Sequence, residues 1–319
     1  MASGYGMAGS VLVNFQNSFG ASQVTSQQTV PVISESLTNN REQLVESNMY
    51  SRFGESPYHE GAVGVEGSIS FEPLPSTMGH FLKSCMGTVA TTSGTGIQTH
   101  VFVPATPSSE FDCRAAVQPM TIEAFRDVGS ANVYYDMLGN DFSLNMANGE
   151  LLSMDVNFIG AGTSRKAAST PVYPTGKPFI WDQFSGSYNG QAITDLQDLT
   201  ITYANNLEAF HTLTGSKSPY RIKRTSQQTI EISGTFVYAS HSYQQAFEAQ
   251  AENAMKFNFA NADAPHTLLM EFSKVRFKTF EPQMGDAGLV TAGFTAQAIW
   301  DTSSDRATTF TLVNTHTYY

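Results

Sequence analysis

The chain has 319 residues, of which 41% are hydrophobic and 14% are charged, and its net charge is −11 at pH 7 with a pI near 5.0. This length favours two domains over one. The acidic balance excludes a protein that grips nucleic acid through its phosphates, because that grip needs Lys and Arg to displace counterions.

Cysteine, targeting and membrane signals are sparse. Cys85 and Cys113 form no CxxC pair, so the sequence indicates neither a disulfide framework nor a zinc site. Buried free thiols are expected, although a bridge between the two cysteines stays open. No basic segment precedes the short apolar run at residues 11–15, and no window reaches the roughly 18 apolar residues of a membrane helix. We expect a protein made and kept in a cytoplasm, without membrane association.

The first part of the chain predicts an arm, then a strand, then a helix. Residues 1–40, rich in Ser, Gln and Asn, are expected to form an extended N-terminal arm. Apolar and polar side chains alternate over residues 63–71, with Glu66 on the polar face, as in a half-buried strand. A short helix is predicted over residues 78–85, and Gly87 stops it.

The next segments complete a first domain. Residues 87–111, rich in Gly, Ser and Thr, indicate a long loop or an extra hairpin. A strand, a Gly-containing turn and a second strand follow over residues 139–162, so the first domain is placed at residues 41–162. Residues 163–194 are dense in Pro, Gly and Ser but too apolar for a free linker, and we predict a docked arm. Its candidate contact residues are Phe179, Ile180, Trp181 and Phe184.

The second part repeats this order of elements. An alternating strand over residues 229–238, a helix over 243–254 and a hairpin over 272–301 are predicted within a second domain at residues 195–319. When Gly67 is placed on Gly234, the apolar faces of the two strands agree, as a repeat requires, because a slip of one residue would exchange buried and exposed faces. The sequence therefore favours a duplication, with one short helix beside the strands of each half.

Catalytic, metal and cofactor signatures are absent from the sequence. It contains no GxSxG, HExxH or P-loop motif, and its seven histidines are scattered. Glu66 and Glu72 lie on the same face of one strand, but six residues at roughly 3.3 Å each separate them by about 20 Å, too far for a carboxylate pair. We predict no catalytic residue, no metal and no cofactor.

Three classes of function remain: a self-assembling structural protein, a binding or adhesion sandwich, and an enzyme without a readable motif. A secreted adhesin normally carries an export signal and often disulfides, and neither is indicated here. The low charge content, the many aromatic residues and the apolar arms suit a chain whose surface is covered by copies of itself. Self-assembly is favoured.

Several segments resemble the tail-tube, or major tail, proteins of long-tailed bacteriophages. The resemblance extends over residues 35–319. It is carried by SLTNNREQLVESNMYSRFGESPYHEGAVGVEGSISFEPLPSTMGHFLKSCMG, GELLSMDVNFIGAG, DLTITYANNLEAF, GTFVY and TTFTLVNTHTYY. It implies a mainly β fold of two tandem β-sandwich or barrel domains, each flanked by one short helix.

The resemblance also implies a function in the virion tail, assembled in the host bacterial cytoplasm. Chains of this family form stacked rings around a channel through which double-stranded DNA passes without specific binding. Three duplicated chains give a pseudo-sixfold ring, and six chains with one tube and one decoration domain each are the alternative. A tape-measure protein and a tail terminator are expected partners. A secretion-type needle tube and a virion adhesin or decoration protein are the alternative functions.

An acidic lumen would repel phosphates and let DNA slide. The candidate lumen-facing residues are Glu66, Glu72 and Glu231, for which an outward orientation stays open. Contacts between subunits and rings are expected in residues 1–40, 87–111 and 163–190.

Overall fold

The structure is a computed structural model that describes residues 5–17, 19–20, 27–48, 54, 57–105, 117–261, 265–284, 288–317 and 319. In these residues the predicted fold class is confirmed, because the chain is mainly antiparallel β with two short α-helices. The sheets formed by the described residues do not close into a barrel within one chain.

The described residues of the first half of the chain form eleven strands and one helix. Its elements are β1 (Ser10–Phe15), β2 (Gln28–Val30), β3 (Ser34–Glu35), β4 (Thr38–Val45), β5 (Tyr58–Phe71), α1 (Met78–Met86), β6 (Gly87–Ser93), β7 (Gln98–Pro104), β8 (Met120–Phe125), β9 (Ala131–Ala147), β10 (Ser153–Gly160) and β11 (Gly162–Lys166). A 3-10 turn, Gly6–Ala8, precedes β1. Within the segment predicted as a loop or extra hairpin, β6 and β7 form a hairpin.

In the second half, the part that the structure describes forms ten strands and the second helix. Its elements are β12 (Phe184–Tyr188), β13 (Gln191–Ile193), β14 (Leu196–Ala204), β15 (Leu207–Phe210), β16 (Arg221–Arg224), β17 (Thr229–Val237), α2 (Ser242–Glu248), β18 (Asn253–Ala260), β19 (Thr267–Gln283), β20 (Thr291–Ala298) and β21 (Thr308–Asn314). A 3-10 turn, Trp181–Gln183, precedes β12. The helix α2 ends at Glu248, six residues before the end predicted for it.

Eight strands form one continuous antiparallel sheet, which we call the long sheet. Their order is β4, β5, β10, β9, β14, β17, β20 and β19. The first four belong to the first half of the chain and the last four to the second half. The pairing of β9 with β14 therefore joins the two halves into one sheet.

The two halves use the same strand order. The strands β9 and β19 are 17 residues each, and each is shared between two sheets. The N-terminal part of β9 pairs with β8 and β11. In the same way, the N-terminal part of β19 pairs with β18 and β21. The C-terminal parts pair with β10 and β20 in the long sheet. Each half thus has a second sheet beside its share of the long sheet.

The segments outside the predicted domains also take part in these sheets. In residues 1–40, β1 pairs with β2 and β8, and β3 pairs with β5. In residues 163–194, β12 pairs with β13 and β18 in the same arrangement as β1 with β2 and β8. The predicted division of the chain into arm, domain and linker stays a prediction.

The two glycines matched in the sequence occupy equivalent register positions. Gly67 of β5 lies opposite Phe158 of β10, and Gly234 of β17 lies opposite Phe294 of β20. A Cβ on Gly67 would lie 2.6 Å from the Ser36 carbonyl oxygen, and a Cβ on Gly234 would lie 2.3 Å from the Asp198 carbonyl oxygen. Both positions therefore require a residue without a side chain.

The core lies between the sheets and the helices and is rich in phenylalanine. The largest fully buried side chains are Tyr203, Phe71, Phe81, Phe102, Phe142, Phe158, Phe179, Phe236, Phe257, Phe259, Phe272 and Phe277. Cys85 on α1 is buried and free, and burial raises the pKa of its thiol to about 12. Cys113 lies outside the described residues, so its predicted state stays a prediction.

A cluster of aromatic rings packs the last residue of the chain against α1. His80 stacks on Phe15 with a centroid distance of 5.9 Å and meets the edge of Tyr319 at 5.0 Å. The Tyr319 hydroxyl donates to the Pro75 carbonyl at 3.2 Å. Burial, helped by the nearby His316, lowers the pKa of His80 from 6.5 to about 3. The imidazole is therefore neutral in the folded chain at neutral pH.

The contact at Gly67 predicts a large effect of a single methyl group. Its φ of +148° is strained for an L side chain, so Gly67→Ala should lower the free energy of unfolding by about 1–3 kcal/mol. Gly64→Ala in the same strand is the matched control, because no atom lies within 4 Å of its added Cβ. Urea unfolding of the purified chains measures both changes. Equal stability of the two variants would contradict the contact.

Because His80 is buried, we predict that the free energy of unfolding falls as the pH is lowered. Between pH 6.5 and about pH 3 the unfolded chain binds a proton that the folded chain does not, so the unfolding free energy should fall by about 2 kcal/mol from neutral pH to pH 5 through this group. His80→Phe should remove that part of the pH dependence, as measured by urea unfolding from pH 7 to pH 5. His211→Gln, at an exposed site, should keep it.

Candidate functional site

One face of the long sheet carries short polar side chains from both halves of the chain. Residues directly opposite each other on antiparallel strands project to the same face, so the pairing registers define this surface. We call it the polar face. One row across it contains Ser70, Asp155, Ser143, Thr202, Glu231 and Gln297. The apolar side chains that alternate with these residues point to the core.

Hydrogen bonds link neighbouring strands along the polar face. The Ser70 hydroxyl donates to Asp155 Oδ1, and Asn145 Nδ2 donates to Asp155 Oδ2 at 3.2 Å. The Thr200 hydroxyl donates to Asn145 Oδ1 at 3.1 Å. This network crosses from β5 through β10 and β9 to β14, which belongs to the second half. It ties the short polar side chains of these four strands to one another.

Acidic groups outnumber basic groups on the polar face. Its carboxylates include Glu66, Asp141, Asp155, Asp198, Glu231 and Glu281, and its basic groups include Arg276 and Lys278. Lys278 Nζ lies 3.2 Å from Glu231 Oε2, and both side chains are about half exposed. The excess of carboxylates makes the potential of this surface negative.

Two of the three candidate lumen residues lie on the polar face. Glu66 and Glu231 are exposed there, and Glu66 Oε2 accepts from Asn40 Nδ2 at 3.3 Å. Glu72 is exposed but follows the last residue of β5 and lies outside the strand. Sequence reasoning missed Asp141 and Asp155, although the alternation within GNDFSLNMANGE and LSMDVNF could have identified them. That these residues line a channel stays a prediction.

The four candidate contact residues have different surroundings. Phe179 is fully buried and lies 6.1 Å from the Phe259 ring, and Phe184 stacks on Phe257 at 5.8 Å. Both rings are therefore packed within their own chain. The remaining two are Ile180, which bridges to Leu151, and Trp181, which is 48% exposed. A role in subunit contacts stays a prediction for all four residues.

The two ends of the long sheet are open in the described chain. At one end β4 pairs with β5 alone, and at the other end residues 276–283 of β19 pair with β20 alone. We call these the β4 edge and the β19 edge. Large apolar residues are exposed beside both of them: Leu44, Val45 and Tyr58 near the β4 edge, and Met284 and Leu289 near the β19 edge. Open strand edges beside exposed apolar groups are typical of surfaces that pair with another chain.

The described residues offer no arrangement for metal binding. No three His, Cys, Asp or Glu side chains in them lie close enough to hold a metal ion. Nor does any helix in the same residues have the length and hydrophobicity to cross a membrane.

Two similar halves, joined in a single sheet with one acidic face, define the class of this chain: a mainly β structural protein. It belongs to the phage tail tube protein family, whose sequence model matches residues 8–310. A comparison with curated proteins found no match. The resemblance drawn from the sequence is confirmed, and the chain is a structural protein of the virion tail. The family is structural and non-enzymatic, and membership implies self-assembly into a stacked tube.

Proposed function

We propose that the polar face lines a tail channel through which double-stranded DNA passes during genome ejection. The observation that carries the proposal is the continuity of this acidic, hydrogen-bonded surface across both halves of the chain. Carboxylates repel DNA phosphates, and the surface lacks the dense basic groups that would bind DNA by counterion release. The DNA would therefore slide along the wall without being held.

The repeated strand order supports a ring of three chains. Each half supplies four strands to the long sheet, in corresponding order. Three chains would supply six such units, which together make about 24 strands. With a spacing of about 4.8 Å and a tilt of about 40°, such a barrel would be roughly 48 Å across between backbones. That width leaves room for a double helix after the side chains are included.

The same proposal covers the position of the protein in the virion. Rings would assemble in the host cytoplasm and stack into a tube, with a tape-measure protein inside during assembly and a terminator protein at the end. These partners come from the family resemblance. The similarity of the two halves favours three chains over six chains that each carry one tube domain and one decoration domain.

The ring proposal predicts a specific symmetry. Electron microscopy of assembled protein should show tubes whose rings have threefold symmetry. The wall of each ring should contain six similar units, two from each chain. The mass of a single ring, measured by light scattering or mass spectrometry, should equal three chains. Strict sixfold rings of six chains would contradict the three-chain proposal, and a monomer that never assembles would contradict the tube.

The channel proposal predicts an effect of charge reversal on DNA passage. Virions whose tails carry Glu66→Lys and Glu231→Lys should release their genome several-fold more slowly after triggering, because lysines in the wall attract phosphates. Higher salt should relieve the delay. The matched control is Glu248→Lys with Glu252→Lys, which makes the same change in charge at exposed sites at the end of α2 and just beyond it. Equal release times for the two double variants would contradict a channel role for the polar face.

A further inference from the structure

A cluster of polar side chains around a buried carboxylate joins three segments of the first half. Glu123 lies on β8 and is fully buried, Gln27 directly precedes β2, and Lys166 is the last residue of β11. Lys166 Nζ lies 2.7 Å from Glu123 Oε2 and 3.4 Å from Gln27 Oε1. One amine therefore contacts both a carboxylate and a carboxamide.

The segment that follows β11 holds the Glu123 carboxylate in place. The Ser169 N–H donates to Glu123 Oε1 at 2.7 Å, and the Ser169 hydroxyl donates to Oε2 at 2.9 Å. Three residues further on, the Val172 N–H donates to the Thr29 hydroxyl at 2.9 Å, which keeps this segment against β2. A carboxylate that is fixed beside an amine and shielded from water is well placed to take a proton from it.

The carboxamide of Gln27 is bonded at its oxygen and not at its nitrogen. Oε1 accepts from Lys166 Nζ, whereas Nε2 is buried and has no hydrogen-bond partner among the residues that the structure describes. A buried donor without a partner costs free energy, which its departure would relieve. The nitrogen that a nucleophile would expel from Gln27 is thus the one that no described residue holds.

We propose that Lys166 and Gln27 react within the folded chain to form an isopeptide bond, with Glu123 as the proton carrier. The inference goes beyond the proposed function and does not depend on the channel or the ring. Holding reacting groups about 3 to 3.5 Å apart makes such a reaction effectively unimolecular. It needs no reagent other than these three side chains.

The atoms of the reaction balance. Glu123 takes one proton from the Lys166 ammonium group, and the neutral Nζ attacks Cδ of Gln27. A second proton passes from Nζ to Nε2, and the Cδ–Nε2 bond breaks. The ammonia takes the proton from Glu123 and leaves as ammonium, and the 24% exposure of the Lys166 side chain gives it a way to solvent. One Nζ–Cδ bond replaces one Cδ–Nε2 bond, and nothing is oxidised or reduced.

The new bond closes a long loop. Gln27 and Lys166 are 139 positions apart, and the loop between them contains every strand from β2 to β11 as well as α1. A cross-link over so many residues restricts the unfolded chain, as a disulfide does. It also limits how far the first half extends when its two ends are pulled.

Mass spectrometry of the full-length chain, folded and then denatured, tests the proposal. The chain should be lighter than its sequence specifies by about 17 Da, the mass of the expelled ammonia, and digestion should give two peptides joined through Lys166 and Gln27. Lys166→Arg should show no loss. The matched control is Lys177→Arg, an exposed site further along the same segment, and it should keep the loss. Glu123→Gln should slow the reaction about a hundredfold, because an amide does not carry the proton.

The position of the mass loss decides the result. Succinimide formation at Asn148–Gly149 or Asn189–Gly190 also expels ammonia, so a loss confined to those peptides overturns the proposal. An unchanged mass after the folded chain has been incubated for days overturns it too. If Lys166→Arg fails to fold, the joined peptides of the unsubstituted chain still decide, since their presence supports the bond and their absence contradicts it. Equal rates in Glu123→Gln and the unsubstituted chain contradict the role of Glu123.

Discussion

The register of β9 is the constraint on which the rest of the structure depends. This strand pairs with β10 of its own half and β14 of the other half, and its N-terminal part belongs to the second sheet. A slip of one residue in either pairing would send the acidic side chains into the core. Asn205, which is fully buried, helps to fix the join, because its amide donates to the carbonyls of Cys85 and Gly139 at 2.7 and 3.1 Å. One amide thus ties the residue that follows β14 to α1 and to β9.

Much of the fold could be predicted from the sequence because its signals are local. Alternation over residues 63–71 and 229–238 identified β5 and β17, and the match of Gly67 with Gly234 has the same register in the structure. The short helices were also found near their observed positions. Besides a partner close in sequence, β1 pairs with β8, more than a hundred residues away, and β12 pairs with β18, about seventy residues away. Composition suggested arms at residues 1–40 and 163–194. The local sequence does not distinguish a strand that pairs with a distant partner from an extended segment.

The candidate site was predicted only in part, for a related reason. Glu66 and Glu231 were chosen because each lies on the polar side of a strong alternating strand, and both lie on the polar face. The network around Asp155 and Asn145 forms only when β10 and β9 are placed between β5 and β14. A sequence shows which side of a strand is polar, but it does not show which polar sides become neighbours.

The covalent link between the halves changes the physics of assembly. A wall of six separate units needs six joins between molecules, and each of them loses translational and rotational freedom. In the proposed ring of three chains every second join would be made within one chain, at the high effective concentration that a tether provides. The internal joins are complete once the chain has folded, so three encounters would close a ring. The two halves are also free to diverge beyond the long sheet, as the β6 and β7 hairpin of one and the β15 and β16 hairpin of the other already do.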